Sequence, residues 1–123
     1  MTGDTTDVLM FGGAVTELPL AALADALRRA GIPAEVRESS LFTGGGYIRA
    51  GTASGVNCSF EHIEPTEYLV RGDADRLVEL ESYARALSAA LTRAGVRHRL
   101  EVYGEDESLA VYLHHAWPQN VAD

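Results

Sequence analysis

Between Leu77 and Ala94 the apolar positions Leu77, Leu80, Ala84, Leu87, Leu91 and Ala94 are separated alternately by three and four residues. That spacing places them on one stripe of an α-helix, with Glu79, Glu81, Arg85, Ser88, Thr92 and Arg93 mostly off it. Asp73 and Asp75 stand where orphan backbone N–H groups need acceptors and where the helix dipole favours negative charge. At the other end Arg93 suits the dipole, and Gly95 can adopt the left-handed conformation that stops a helix. The spacing predicts a helix over about 74–94, roughly 30 Å long. With a single apolar stripe it must lie on something flat, and a sheet is the expected partner. Tyr68-Leu69-Val70-Arg71 before it and Arg99-Leu100-Glu101-Val102-Tyr103 after it read as strands, which together make a crossover unit.

The first third of the chain has the same order. Asp7-Val8-Leu9-Met10-Phe11 reads as a short buried strand ended by Gly12-Gly13. Thr16, Leu18 and Pro19 mark a helix start, since proline is tolerated in the first turn. Leu20, Leu23, Ala24, Leu27 and Ala30 form its stripe, Gly31 ends it and Pro33 prevents continuation. Ala34-Glu35-Val36-Arg37-Glu38 then reads as a strand with one wet face. The helix ends Ala26-Leu-Arg-Arg-Ala-Gly-Ile32 and Ala90-Leu-Thr-Arg-Ala-Gly-Val96 are nearly one word. Propensity and capping alone favour such endings in an Ala- and Arg-rich chain. The order of elements is nonetheless that of a split β-α-β arrangement, the ferredoxin-like plan.

Between the halves, Leu41-Phe42-Thr43-Gly44-Gly45-Gly46 reads as a turn. Tyr47-Ile48-Arg49-Ala50 and Val56-Asn57-Cys58-Ser59-Phe60-Glu61 read as a hairpin joined by Gly51-Thr-Ala-Ser-Gly55, with Pro65 breaking the second strand. After the second helix, His98–Tyr103, the acidic turn Gly104-Glu-Asp-Glu-Ser108 and Leu109–Leu113 read as another hairpin, with Leu109, Val111 and Leu113 sharing one face. The expected fold is therefore α+β. It is a ferredoxin-like two-layer sandwich of a mostly antiparallel sheet with two helices on one face, an inserted β-hairpin and an extra C-terminal strand. A chain of 123 residues with 46% hydrophobic side chains reads as one domain over 1–123, ordered from about 7 to 117, with loose tails at 1–6 and 119–123.

The net charge of −8 opposes nucleic-acid phosphates and anionic membranes as partners and suits a basic one. The lone Cys58 forbids an internal disulfide, the polar start lacks the form of a signal peptide, and no apolar run approaches a membrane span. A reducing cytoplasm is the compartment expected. All ten basic side chains are arginine, as coding bias in a GC-rich bacterial genome would produce. Chemistry that needs a lysine, such as a Schiff base or a Walker-type phosphate loop, is excluded.

Candidate sites each have a structural alternative. Gly12-Gly13, between a strand and a helix, has a geometry that can present N–H groups to an anion, but plain turn glycines explain it equally. Gly44-Gly45-Gly46 reads as a hinge. His114 and His115 are neighbours in an extended segment and point to opposite faces. Cys58 and His62 share a face but lie roughly 13 Å apart along a strand. No metal or cofactor is expected from these, nor from His98, and Cys58 between Val56 and Phe60 reads as a small core hydrophobe. Glu61, Glu64 and Glu67 lie near His62 in sequence with no spacing that a mechanism requires, so no catalytic set is named. Glu105-Asp106-Glu107, with Glu101 nearby, is the densest charge feature: a solubilising hairpin tip, or a docking patch for a basic protein surface. Tyr103, Tyr112 and Trp117 near the same end would supply aromatic anchors.

The expected function is a small, acidic, cytoplasmic protein-binding module without enzymatic activity. It would be an inhibitor or immunity-type protein that docks on a basic partner such as a toxin or effector. The alternative is a small-molecule-sensing regulatory domain of the ACT-like dimer kind, which would make the protein a homodimer; a small enzyme ranks third.

Overall fold

The structure, a computed structural model, describes residues 8–38, 46–51 and 55–117. The expected loose tails, the Leu41–Gly45 part of the glycine turn and the Thr52–Ser54 part of the hairpin connection lie outside the described residues. In chain order the elements are β1 (Val8–Val15), α1 (Leu20–Arg29), β2 (Ala34–Glu38), β3 (Gly46–Gly51), β4 (Asn57–Glu64), β5 (Glu67–Ala74), α2 (Leu77–Arg93), β6 (Arg97–Tyr103) and β7 (Leu109–His115). All seven strands join one sheet in the order β2-β3-β4-β5-β1-β6-β7, and every neighbouring pair is antiparallel. The fold is α+β.

Both helices turn their stripes onto the sheet. Leu23, Ala24 and Leu27 of α1 and Leu80, Ala84, Leu87 and Leu91 of α2 are buried with Met10, Ile48, Phe60, Val70, Leu100 and Val102 from the strands in one core. Each large side chain so removed from water contributes about 1.5–3 kcal/mol. The shared helix-end word has a shared structure. Ile32 N–H donates to the Leu27 carbonyl (3.0 Å) and Gly31 N–H to that of Arg28, while Val96 N–H donates to Leu91 (2.9 Å) and Gly95 N–H to Thr92. Gly31 and Gly95 supply the positive φ, at +88° and +76°, that this double closure needs. Ile32 and Val96 are then buried against the helix they have just left.

The strand order shows how two crossovers share one sheet. β5 and β6 are both antiparallel to β1, which runs between them, so α2 carries the chain over β1. The first crossover is longer, because α1 carries the chain from β1 to the outer edge at β2, past the positions of β5, β4 and β3. The expected hairpin of residues 47–50 and 56–61 is present as β3 and β4. It lies within the sheet between β2 and β5, and β4 extends to Glu64.

Four expectations are corrected. β1 does not end at Gly12-Gly13 but runs through both to Val15, because β5 and β6 pair with it along its whole length. A Cβ on Gly12 would collide with the Arg99 carbonyl, and one on Gly13 would stand 3.2 Å from the Trp117 ring, so these glycines serve close approach and not a turn. α2 begins at Leu77 and not near Ala74, since β5 keeps pairing with β1 as far as Ala74, opposite Val8. Asp73 is consequently a strand residue, and Arg76 stands at the N-cap, where its side chain makes no capping hydrogen bond. Finally, Leu109 is exposed: the register shifts between Val102 and Tyr103, which takes it out of alternation with Val111. No helix among the described residues is long and apolar enough to cross a membrane.

Candidate functional site on the helix-free sheet face

The helices cover one face of the sheet, and no described helix covers the other. Alternation decides what the uncovered face displays: Val8, Met10 and Ala14 point into the core, so Leu9 and Phe11 point out. They are 42% and 40% exposed, on an interior strand paired on both sides. Register extends this into rows that cross the sheet. One row reads Glu35, Arg49, Ser59, Arg71, Phe11, Glu101, Tyr112, one residue from each strand. The next towards the acidic turn reads Asn57, Asp73, Leu9, Tyr103. In the first row Arg49 and Arg71, with Glu35 at the edge, stand on one side of Phe11 and Glu101 on the other.

Beside Phe11 the side chains of β6 form a connected line. The Tyr103 hydroxyl donates to Glu101 Oε1 (2.7 Å) and Arg99 Nη1 donates to Glu101 Oε2 (2.8 Å). The Arg99 guanidinium lies over the Trp117 ring, 5.3 Å from its centroid. The Phe11 and Tyr103 rings are 6.3 Å apart. The hydrogen bond to the Glu101 carboxylate holds the Tyr103 hydroxyl above the usual phenol range, because ionisation would set two anions side by side. Leu9, Phe11, Glu101, Tyr103, Gly104, Glu105 and Glu107 together line a recess of about 430 Å³.

The residues singled out in the sequence therefore divide. Glu101, Tyr103, Glu105 and Glu107 converge on the recess, and Tyr112 stands opposite Glu101, its ring 5.2 Å from that of His114. Asp106 holds the turn itself, accepting from the Ser108 hydroxyl (2.7 Å) and from the Ser108 N–H (3.1 Å). The hydroxyl contact, reinforced by the N–H, keeps its carboxyl below the ordinary range. Trp117 lies over Gly13 at the opposite end of β6 from the acidic turn, and among the described residues Arg99 links it to Glu101. Leu9, Phe11 and Arg99 were missed by the sequence reading. A continuous apolar run such as Val8–Phe11 carries no period that separates a covered face from an open one.

The chain matches no protein-family model, no curated protein and no solved structure.

The histidines and the cysteine lie away from this face or at its margin. His98 is fully buried; its Nδ1 meets the Val96 carbonyl (2.9 Å) and its Nε2 the Ser88 hydroxyl (2.7 Å). A carbonyl can only accept, so Nδ1 carries the proton and Ser88 donates to Nε2. Burial lowers the pKa of His98. His62 stacks on Tyr68, with centroids 4.1 Å apart, and its Nε2 has no partner among the described residues. Cys58 is buried, and desolvation pushes its thiol up to about 12, which makes it the core hydrophobe expected and a poor nucleophile. Gly12-Gly13 offers no anion cradle, because both glycines sit within the ladder between β5 and β6.

Proposed function

We propose that this protein is a non-enzymatic, cytoplasmic binding module of the inhibitor or immunity type, which docks a basic partner protein through the acid-rimmed end of its helix-free face. The observation that carries this reading is the exposure of Leu9 and Phe11 beside Tyr103, with Glu101, Glu105 and Glu107 around the same recess. Apolar and aromatic anchors ringed by one sign of charge suit a surface where burial supplies affinity and carboxylates supply orientation and encounter rate. The net charge of −8 acts in the same direction at longer range. Behind it stands a ferredoxin-like reading of the fold, supported by the run β6-β1-β5-β4 and the two helices packed in one core, although β4 holds the place the sequence assigns to the strand at 34–38, which lies instead at the outer edge as β2. The outer β2-β3 pair and β7 then extend that run at its two edges.

The test compares retention of cell-extract proteins on the immobilised chain, on Phe11→Ser and on the double variant E105Q/E107Q, at rising salt. A basic protein held by the wild type, released by salt and held about tenfold less well by either variant is the expected result. Retention that ignores salt, or that is equal on all three, counts against the proposal, as does no retention. A second reading, a ligand-sensing regulatory domain, is favoured by one observation, a cleft of about 510 Å³ on the same face between Arg49 and Phe11.

A further inference from the structure

That cleft lies over β3, β4, β5 and β1. Its floor includes the β4 and β5 chain at Cys58 and Gly72, Arg49 stands on one side, and Leu9 and Phe11 stand on the other. Its volume falls within the range that small-molecule sites occupy, roughly 300–1,000 Å³. Three kinds of chemistry face the same space. Arg49 and Arg71 are in one row, separated by Ser59, so their backbones are about 10 Å apart, two strand spacings. Asp73 is two residues from Arg71 on the same face of β5, about 7 Å along the strand. Phe11 is the direct neighbour of Arg71, and Leu9 that of Asp73.

The charged groups keep unused capacity. No described carboxylate lies within ion-pair distance of Arg49, whose cross-strand neighbour Glu35 is bonded instead to Arg37 (2.8 Å). Arg71 uses Nη2 on Glu61 (3.0 Å), which leaves further N–H donors of its five. Asp73 accepts from the Asn57 amide at Oδ1 (3.1 Å), which leaves Oδ2. Two guanidinium groups ask for an anion, the carboxylate for a cation, and the two apolar side chains for a hydrophobic group. A carboxylate alone would meet repulsion from Asp73, and an amine alone repulsion from the arginines.

We propose that this cleft binds a free α-amino acid with a large apolar side chain. The arginines hold its carboxylate, Asp73 its ammonium, and Leu9 and Phe11 its side chain. The proposal does not rest on the docking surface. The two share Leu9 and Phe11, so a bound amino acid would cover the centre of that surface.

Isothermal titration of the isolated chain tests it, with L-phenylalanine and L-leucine as probes. The comparison ligands are 3-phenylpropionate, which lacks the ammonium, and phenethylamine, which lacks the carboxylate. Saturable binding of at least one amino acid is expected, with both analogues and the variants Arg49→Gln and Asp73→Asn each about tenfold weaker or more. Arg85→Gln, an exposed change on α2, should bind as the wild type does. Melting without ligand reports whether each variant folds; R49Q alters an exposed side chain with no described ion pair and keeps the test decisive should D73N unfold. Three results would overturn the proposal: no saturable heat for either amino acid up to about 10 mM, either analogue binding as tightly as L-phenylalanine, or R49Q binding like the wild type.

Discussion

Ser88 of α2 and His98 of β6 share a 2.7 Å hydrogen bond inside the core, and the imidazole is fixed from its other side by the Val96 carbonyl. The pair ties the second helix to the strand that follows it. The imidazole there is neutral, since a buried charge without a carboxylate partner would be costly.

A pH dependence follows from that pair. The pKa of His98 in the folded chain lies below its ordinary value of 6.5, chiefly because burial penalises the charged form, with His115 and His114 adding repulsion against the Val96 hydrogen bond. As pH falls, the unfolded chain takes up this proton first, so the contribution is whole above about pH 6.5 and lost below it. The melting temperature should fall between pH 7.5 and 5.5, and His98→Asn should flatten that fall. Equal slopes for the two proteins would remove His98 as the cause.

Gly12→Ala should destabilise the fold by about 1–3 kcal/mol or more, because the new methyl meets the Arg99 carbonyl and two paired strands must separate. Gly13→Ala should cost less, since what it meets is the edge of the half-buried Trp117 ring. Urea denaturation would order the two variants. The reverse order would mean that β1 and β6 are not packed as described.

Leu87→Ala removes a fully buried side chain beneath the sheet and should cost about 2–5 kcal/mol. Val78→Ser, on the same helix but 65% exposed, should change stability by no more than about 0.5 kcal/mol. The contrast, read from melting curves, tests which stripe of α2 faces the core.

Cys58 should resist alkylation in the native protein. With its thiol pushed up to about 12, only about one molecule in ten thousand carries the thiolate at pH 8, and the sulfur is buried besides. Iodoacetamide labelling followed by mass spectrometry should be slow in buffer and fast in urea. Rapid native labelling would place Cys58 outside the core.

The features legible in the sequence are those set by near neighbours. Leu80, Leu87 and Leu91 declare a helix and its buried face because 3.6-residue periodicity is local. The endings at Gly31 and Gly95 are legible for a similar reason, since the bonds that close them reach only five residues back. The β3–β4 hairpin and the alternation of Val56, Cys58 and Phe60 belong to the same class. So do the acidic turn at 105–107 and the excess of negative charge, which are read by counting.

What the tertiary structure alone decided depends on partners remote in sequence. Gly12 and Gly13 read as a turn until Arg99 and Trp117 are brought against them, and Asp73 reads as a helix cap until β1 keeps β5 extended. The candidate surface is of this kind too. Leu9 and Phe11 belong to an unbroken apolar run, and they are exposed only because both helices pack on the opposite face of the sheet. Arg49, Arg71 and Asp73 come together through cross-strand register, which no local pattern records. Local spacing determines elements and their apolar stripes, whereas the choice of which sheet face stays open is made by how those stripes are buried together.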